Sequence, residues 1–250
     1  MGKGKILVTG GTGYIGSHTV VELCNAGYEP IIIDNLSNSN INVLDGIKAI
    51  TGHPVTYENI DCKDYNSLER FLEKHSEIVA IAHFAASKSV GESVNNPLLY
   101  YRNNILSLIN LLQLMAKFNI KNIVFSSSCT VYGQADVLPV TEQSPIKPAT
   151  SPYGSTKQMS ETILQDAAFA NKDLNAILLR YFNPIGAHPS AEIGELPNGI
   201  PNNLLPYITQ TAAGIRKELS VFGNDYNTPD GSCIRDYINV VDLAKAHVIA

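Results

Sequence analysis

Tyr153 and Lys157 stand four residues apart in Tyr153-Gly-Ser-Thr-Lys157, and the helical pattern that begins there runs to about Ala170. The two side chains therefore share one face of a helix. A free tyrosine ionises near 10, so acting as a base near neutrality requires a drop of about 3 pH units, worth about 4 kcal/mol. A cation within about 4–6 Å supplies about 1–3 of those units, and Lys157 is the cation at hand. The spacing alone proves little; its surroundings carry the information. One proline-bearing loop (Pro139, Pro145, Pro148, Pro152) separates the pair from an apolar strand, Ile123–Ser127, that ends in Ser126-Ser127-Ser128-Cys129-Thr130-Val131-Tyr132-Gly133. Ser128 can bridge a substrate hydroxyl and the phenol, ordering a proton path.

What must position these groups begins at the other end of the chain. Ile6-Leu7-Val8-Thr9 reads as a buried strand that turns through Gly10-Gly11-Thr12-Gly13-Tyr14-Ile15-Gly16 into a helical pattern. Glycines at 10, 13 and 16 let the backbone approach a pyrophosphate, and the helix N-terminus offers it unpaired N–H groups. Gly16 is followed by Ser17 and not by lysine, which excludes a P-loop. A second apolar strand, Ile31-Ile32-Ile33, ends on Asp34-Asn35, eighteen residues past Gly16. An acid at that place holds the diol of an adenosine ribose and repels a 2′-phosphate. No lysine or arginine follows before Lys48. The expected cofactor is NAD. Its positive nicotinamide ring would add to Lys157 in lowering the phenol, and Lys157 can hold the nicotinamide ribose.

Further strands at Val55–Asn59, Ile78–His83 and Ala176–Tyr181 alternate with helices at Tyr65–His75 and from Pro97 to about Lys117. That alternation predicts an α/β fold, a doubly wound parallel sheet of the Rossmann kind, with ligands beyond the strand ends where Gly10, Asp34, Asp61 and Phe84 fall. Residues 1–183 read as an NAD-binding domain. Past Asn183 proline, glycine and asparagine dominate to Pro206, and residues 184–250 read as the start of a smaller substrate domain, interleaved with the first near 235–250 and incomplete. The final helical stretch, Asp242 to Ala250, has no stop signal, so the chain reads as a fragment of a longer protein.

The formal charge of −5 and the lack of a basic stripe argue against nucleic acid as a partner. The longest apolar stretch, Ile78 to Ala86, is broken by His83, so no membrane span is expected. Met1-Gly2-Lys3-Gly4-Lys5 runs straight into the first strand without a signal peptide, and isoleucine at position 6 breaks a myristoylation motif. Cys24, Cys62, Cys129 and Cys233 lack metal or disulfide spacing and read as reduced thiols of a cytoplasmic protein. The six histidines form no metal-ligand pattern, so no metal is expected.

Across all 250 residues the sequence resembles the extended short-chain dehydrogenase/reductases, within them the nucleotide-sugar 4-epimerases, with wording nearest to fungal forms. The resemblance rests on Thr9–Gly16 with Ser17-His18, Asp34-Asn35-Leu36, His83-Phe84-Ala85, Val90-Gly91-Glu92-Ser93, the Ser126–Gly133 and Tyr153–Lys157 stretches, Arg180-Tyr181-Phe182-Asn183-Pro184, Gly199–Leu204 and Arg235-Asp236-Tyr237-Ile238. It implies NAD-dependent interconversion of UDP-galactose and UDP-glucose: oxidation at C4, rotation of the 4-keto sugar, and hydride return. It also implies that Gly10, Gly13, Tyr14, Ile15 and Gly16 cradle the pyrophosphate, Asp34 and Asn35 the ribose, and Asp61 with Cys62 the adenine. Phe84, Ala85, Lys88, Asn103, Tyr153, Lys157 and Tyr181 would line the cofactor. Lys88, Ser128, Tyr153, Asn183, Asn203, Leu204, Val221, Phe222 and Arg235 would hold the UDP-sugar, with Arg235 on the diphosphate. In the family the helices beginning near Pro97 and Tyr153 form a dimer interface, which implies a homodimer. Cys62, Cys129 and Asn239 depart from the family pattern beside the site, yet no catalytic group is lost. Two other readings stay open at this point. A 4,6-dehydratase needs a carboxylate pair where Cys129 and Thr130 stand, and a non-catalytic NAD sensor would not need Tyr153 or Lys157.

Overall fold

The computed structural model describes residues 3–250; the part of the leader reading that concerns Met1 and Gly2 lies outside the described residues. Six strands form one parallel sheet: β1 (Lys5–Thr9), β2 (Glu29–Asp34), β3 (Thr56–Asn59), β4 (Ile78–His83), β5 (Asn122–Ser126) and β6 (Asn175–Leu179). Their order is β3-β2-β1-β4-β5-β6. The chain runs outward from β1 to one edge, then restarts beside β1 at β4 and runs to the other. The switch lies between β1 and β4, and a ligand binds beyond the strand ends there.

Both faces of the sheet are covered, which is why β1, β2 and β4 read as largely apolar runs. Successive residues of β2 point to opposite sides. Ile31 and Ile33 join a core with Leu7, Phe71, Leu72, Leu108 and Phe125, while Ile32 joins Val8, Val20, Val21 and Ile47. The first core lies under α3 (Tyr65–Lys74), α5 (Pro97–Lys117) and α6 (Pro152–Ala170); the second lies under α1 (Tyr14–Asn25) and α2 (Val43–Thr51). Helix starts follow local chemistry. The Asp64 carboxylate accepts from Ser67 N at 3.1 Å to cap α3, and Ser151 Oγ accepts from Gly154 N at 3.1 Å to cap α6. Proline opens both α5 and α6, where a missing N–H costs nothing.

Several elements escaped the sequence pattern because they are short: α4 (Val90–Asn95), the 3-10 turn Cys129–Tyr132, and the parallel pair β7 (Asn183–Ile185) and β8 (Tyr237–Asn239). The strand expected to reach Tyr181 stops at Leu179, because Arg180 leaves the ladder to pair with Glu161. Beyond α7 (Leu204–Ala212) the chain has neither helix nor strand from 213 to 236, and Ile215, Val221, Phe222 and Ile234 are exposed there. The last helix, α8 (Val240–Ile249), returns to pack on α1, its His247 ring 4.7 Å from that of Phe84. Among the described residues no helix is long and apolar enough to cross a membrane.

Two histidines are held neutral by the fold. Burial pushes His83, whose Nδ1 lies 2.7 Å from Thr9 Oγ1, down to about 3, and the Lys157 charge acts in the same direction. Burial pushes His247 down to about 4, against the pull of its bond to the Leu243 carbonyl. Both lie below the ordinary value of about 6.5, so their contribution is present above that pH and is lost as pH falls toward 4 and then 3. The melting temperature should therefore drop steadily below pH 6.5, and His83→Gln should flatten part of the drop. A wild-type melting curve that holds level from pH 7 to 4.5 by circular dichroism would contradict this.

Candidate active site

The glycine turn leaves no room for side chains. Gly10 has φ +71, and a Cβ there would lie 2.8 Å from Ala85 N; one at Gly16 would lie 2.2 Å from Gly10 O. Gly13 stands at the N-cap of α1 and no side chain caps it, so first-turn N–H groups are left for an anion. The Asp34 carboxylate organises the adjoining loop. Its Oδ2 accepts from Thr12 N at 3.2 Å, and its Oδ1 accepts from Leu36 N at 2.9 Å and Ser39 Oγ at 3.1 Å. Leu36 is thereby held at φ +57, a left-handed conformation rare for a branched side chain. Asn35 Nδ2 donates to Asp61 Oδ2 at 3.1 Å, and Cys62 is buried beside them.

From this loop a cleft of about 1400 Å³ runs past Phe84 and Ala85 to Ser126, Ser128, Tyr153, Lys157 and Tyr181. Pockets for one small ligand span about 300–1000 Å³, so there is room for a dinucleotide with a second ligand beside it. The Lys157 ammonium is buried, donates to the Ser126 carbonyl at 2.7 Å and lies 4.7 Å from the centre of the Phe125 ring. Burial lowers it to about 8, while the Glu161 charge pulls it up. Tyr153 stands one turn earlier on the same helix. Burial pushes its phenol up to about 12, and the bond to Ser128 only partly offsets that. The Lys157 ammonium lies 5.8 Å from the centre of the Tyr153 ring and donates to the Ser126 carbonyl. Tyr153 is a neutral acid in this state. Tyr181 contacts Ser126 Oγ, and burial raises it as well.

Lys88 and Asn103 also line the cleft. Asn103 accepts from Lys63 Nζ at 2.7 Å and donates to Ser87 Oγ at 2.9 Å. Lys88 meets a residue that sequence reasoning missed. Glu195 Oε1 accepts from Lys88 Nζ at 3.4 Å and from Asn203 Nδ2 at 2.5 Å, with its side chain 9% exposed. A lone glutamate in a proline-rich loop gives no signal in sequence. The other expected sugar-nucleotide residues are not brought into the cleft. Asn183 is tied by its Nδ2 to Asp236 O at 2.8 Å, Leu204 is half exposed, Val221 and Phe222 face solvent, and Arg235 bonds the carbonyl of its neighbour Ile234 at 3.0 Å. Asn183 and Leu204 are held where β7 and α7 begin, and the other three lie in the 213–236 stretch, where no regular element aims side chains inward.

A glycine cradle, an acid at the neighbouring strand end and a Ser/Tyr/Lys group sharing one cleft define a dinucleotide-dependent enzyme of the α/β class. The chain belongs to the NAD dependent epimerase/dehydratase family, whose model matches residues 6–250. It is 55% identical over 245 residues to UDP-glucose 4-epimerase of Bacillus subtilis, covering 98% of this chain and 72% of the relative. Against the Schizosaccharomyces pombe enzyme it is 52% identical, covering 99% and 70%. The wording is thus no nearer to a fungal relative than to a bacterial one, contrary to the expectation from sequence. Of solved structures, UDP-glucose 4-epimerase from Bifidobacterium longum in complex with NAD+ and UDP superposes with a TM-score of 0.95 at 49% identity, covering 98% of this chain and 72% of that one.

Because Asp34 both lines the cleft and fixes its loop, exchanging it tests the expected cofactor preference. Asp34→Ala with Asn35→Arg should raise affinity for NADP relative to NAD at least tenfold, about 1.4 kcal/mol. Fluorescence titration with both reduced cofactors measures it. A native chain that already prefers NADP would refute the reading of this acid.

Proposed function

We infer that this chain interconverts UDP-galactose and UDP-glucose with NAD as cofactor. The observation that carries the reading is the gathering of Ser128, Tyr153 and Lys157 at the end of the cleft remote from the Asp34 loop. The similarity to UDP-glucose 4-epimerases at about half identity supports it. The residues fit the cofactor: the cradle admits no Cβ, the uncapped α1 has N–H groups to give, and Asp34 stands where a ribose diol needs an acceptor.

When bound, NAD supplies a reversible hydride acceptor. The chain supplies the rest. Gly10, Gly13, Tyr14, Ile15 and Gly16 take the pyrophosphate; Asp34 and Asn35 take the ribose, with Asp61 and Cys62 beside the adenine. Phe84, Ala85, Lys88, Asn103 and Tyr181 wall the nicotinamide half. Tyr153 takes the proton of the sugar 4-hydroxyl and later returns it, with Ser128 as the bridge. With its phenol near 12, Tyr153 needs positive charge beside it before it can act as a base, and Lys157 with the nicotinamide ring provides that charge. Inversion requires both faces of one carbon to meet one acid/base group. The nucleotide must therefore be gripped and the sugar left free to turn. Asn203 already lines the cleft; Asn183, Leu204, Val221, Phe222 and Arg235 would complete the hold on the nucleotide. A dehydratase lacks support, since Cys129 and Thr130 occupy the places its carboxylate pair needs, and the buried Glu161 nearby is already taken up by Arg180 and Ser127.

We also propose a homodimer in the cytoplasm. α5 and α6 pack side by side and leave Leu98, Ile109, Met159 and Phe169 exposed, and all four cysteines are free thiols. Light scattering should give twice the 27.1 kDa of one chain; a monomer at micromolar concentration would count against the interface.

Tyr153→Phe removes the proton acceptor and almost no volume. NAD affinity should stay within twofold of wild type, while kcat for UDP-galactose falls by about 10²–10⁴-fold. Wild-type turnover by the phenylalanine variant would overturn the assignment.

A further inference from the structure

The three serines at the end of β5 each have a different partner. Ser126 has its carbonyl on Lys157 Nζ at 2.7 Å and its hydroxyl on Tyr181, while the Ser128 hydroxyl accepts from Thr130 N at 3.2 Å and lines the cleft with Tyr153. Ser127 lies between them, 1% exposed, and points the other way: its Oγ donates to Glu161 Oε1 at 2.5 Å. Glu161 lies one helical turn past Lys157 and is 2% exposed. Arg180 closes on it as a fork, with Nε 2.9 and 3.1 Å from the two carboxylate oxygens and Nη2 2.6 Å from Oε2.

This ion pair does not line the cleft, and a buried pair is expensive in desolvation. Apolar residues of the same size would often stabilise a fold as well or better. What the pair does provide is location. It joins α6, the end of β5 and the exit of β6 at one point, directly behind the reacting groups.

We propose that Glu161, clamped by Arg180 and Ser127, is a positioning residue that keeps the Lys157 ammonium charged and holds the Ser126–Ser128 segment against Tyr153. The proposal rests on the reading of Tyr153 and Lys157 as the reacting pair. Lys157 is surrounded by groups of limited help. His83 on β4 is buried and neutral, Tyr153 on its own helix and Tyr181 beyond β6 are neutral phenols, the Ser126 carbonyl is only a dipole, and Arg180 is repulsive. Glu161 is the acid whose charge acts on the ammonium. Burial has already brought Lys157 down to about 8, within reach of working pH. Loss of the Glu161 charge would let the ammonium deprotonate near neutrality and so remove the positive charge Tyr153 needs.

The test is an NMR titration of the full chain, with and without NAD, carrying ¹³Cε-labelled lysine and using Lys157→Arg to assign the resonance. In the NAD-free wild-type chain the Lys157 midpoint should lie near 8. In Glu161→Gln, which keeps the shape and an acceptor for Ser127, it should fall by about 1 unit or more. The alkaline limb of kcat should move down with it, at unchanged KM for UDP-galactose. Since Glu161→Gln strands the Arg180 charge, Arg180→Met is made beside it; it keeps the Glu161 charge and removes the cation that opposes it, so its midpoint should move up instead of down. A folded variant of either kind with an unmoved midpoint would overturn the proposal. Ser127→Ala separates the second role: kcat should fall up to about 100-fold with the midpoint unchanged, and wild-type kcat would remove the clamp on the serines. Absence of epimerisation by the wild-type chain would count against the reading of Tyr153 and Lys157, whereas the midpoints decide the charge role of Glu161 by themselves.

Discussion

Everything in this molecule is arranged around a backbone approach that tolerates no side chain. Gly10 passes so near the main chain of Phe84 and Ala85, and Gly16 so near Gly10, that a single added carbon at either place would overlap backbone atoms. Backbone does not give way as a flexible side chain does, so the contact fixes three things together: where β1 ends, where α1 begins and where the exit of β4 lies. The glycine turn and the cleft wall at Phe84 and Ala85 are one packing event. Displacing one displaces the other.

From that fixed point the electrostatics of the site follow. The far end of the cleft is dry enough that an ammonium, two phenols and a histidine all have their neutral forms favoured. Such an environment makes each remaining charge count, because fewer water dipoles oppose it. It also explains the division of labour around β5. The strand end supplies a carbonyl to one partner and hydroxyls to others, so a run of three small polar residues serves where a larger side chain would reach only one of them.

Much of this was legible in the sequence because it is local. The glycine spacing, the acid at the end of Ile31-Ile32-Ile33 and the four-residue step from Tyr153 to Lys157 are written in consecutive letters, and burial on both sheet faces makes the strands read as apolar runs. The helix from Pro97 to about Lys117 was readable because proline opens it and its apolar faces persist for several turns. What was not legible depends on distant partners. Nothing in the letters shows that Lys157 turns to the Ser126 carbonyl instead of to the phenol, or that Glu195 lies between Lys88 and Asn203. The residues expected to hold the sugar nucleotide were drawn from resemblance. Val221, Phe222 and Arg235 lie where no strand or helix constrains them, so the local rules that placed the cradle have no purchase there.

Asn203 occupies the position that would ordinarily cap α7, yet its amide donates to Glu195 and the helix start receives no side-chain bond. Asparagine is among the best residues for that capping role. A cap would draw on the other end of the side chain, since Oδ1 must accept from a first-turn N–H while Nδ2 is the donor to Glu195. Orientation at this rim of the cleft is therefore set by a carboxylate eight residues back, and the start of α7 goes without the bond its own asparagine could give.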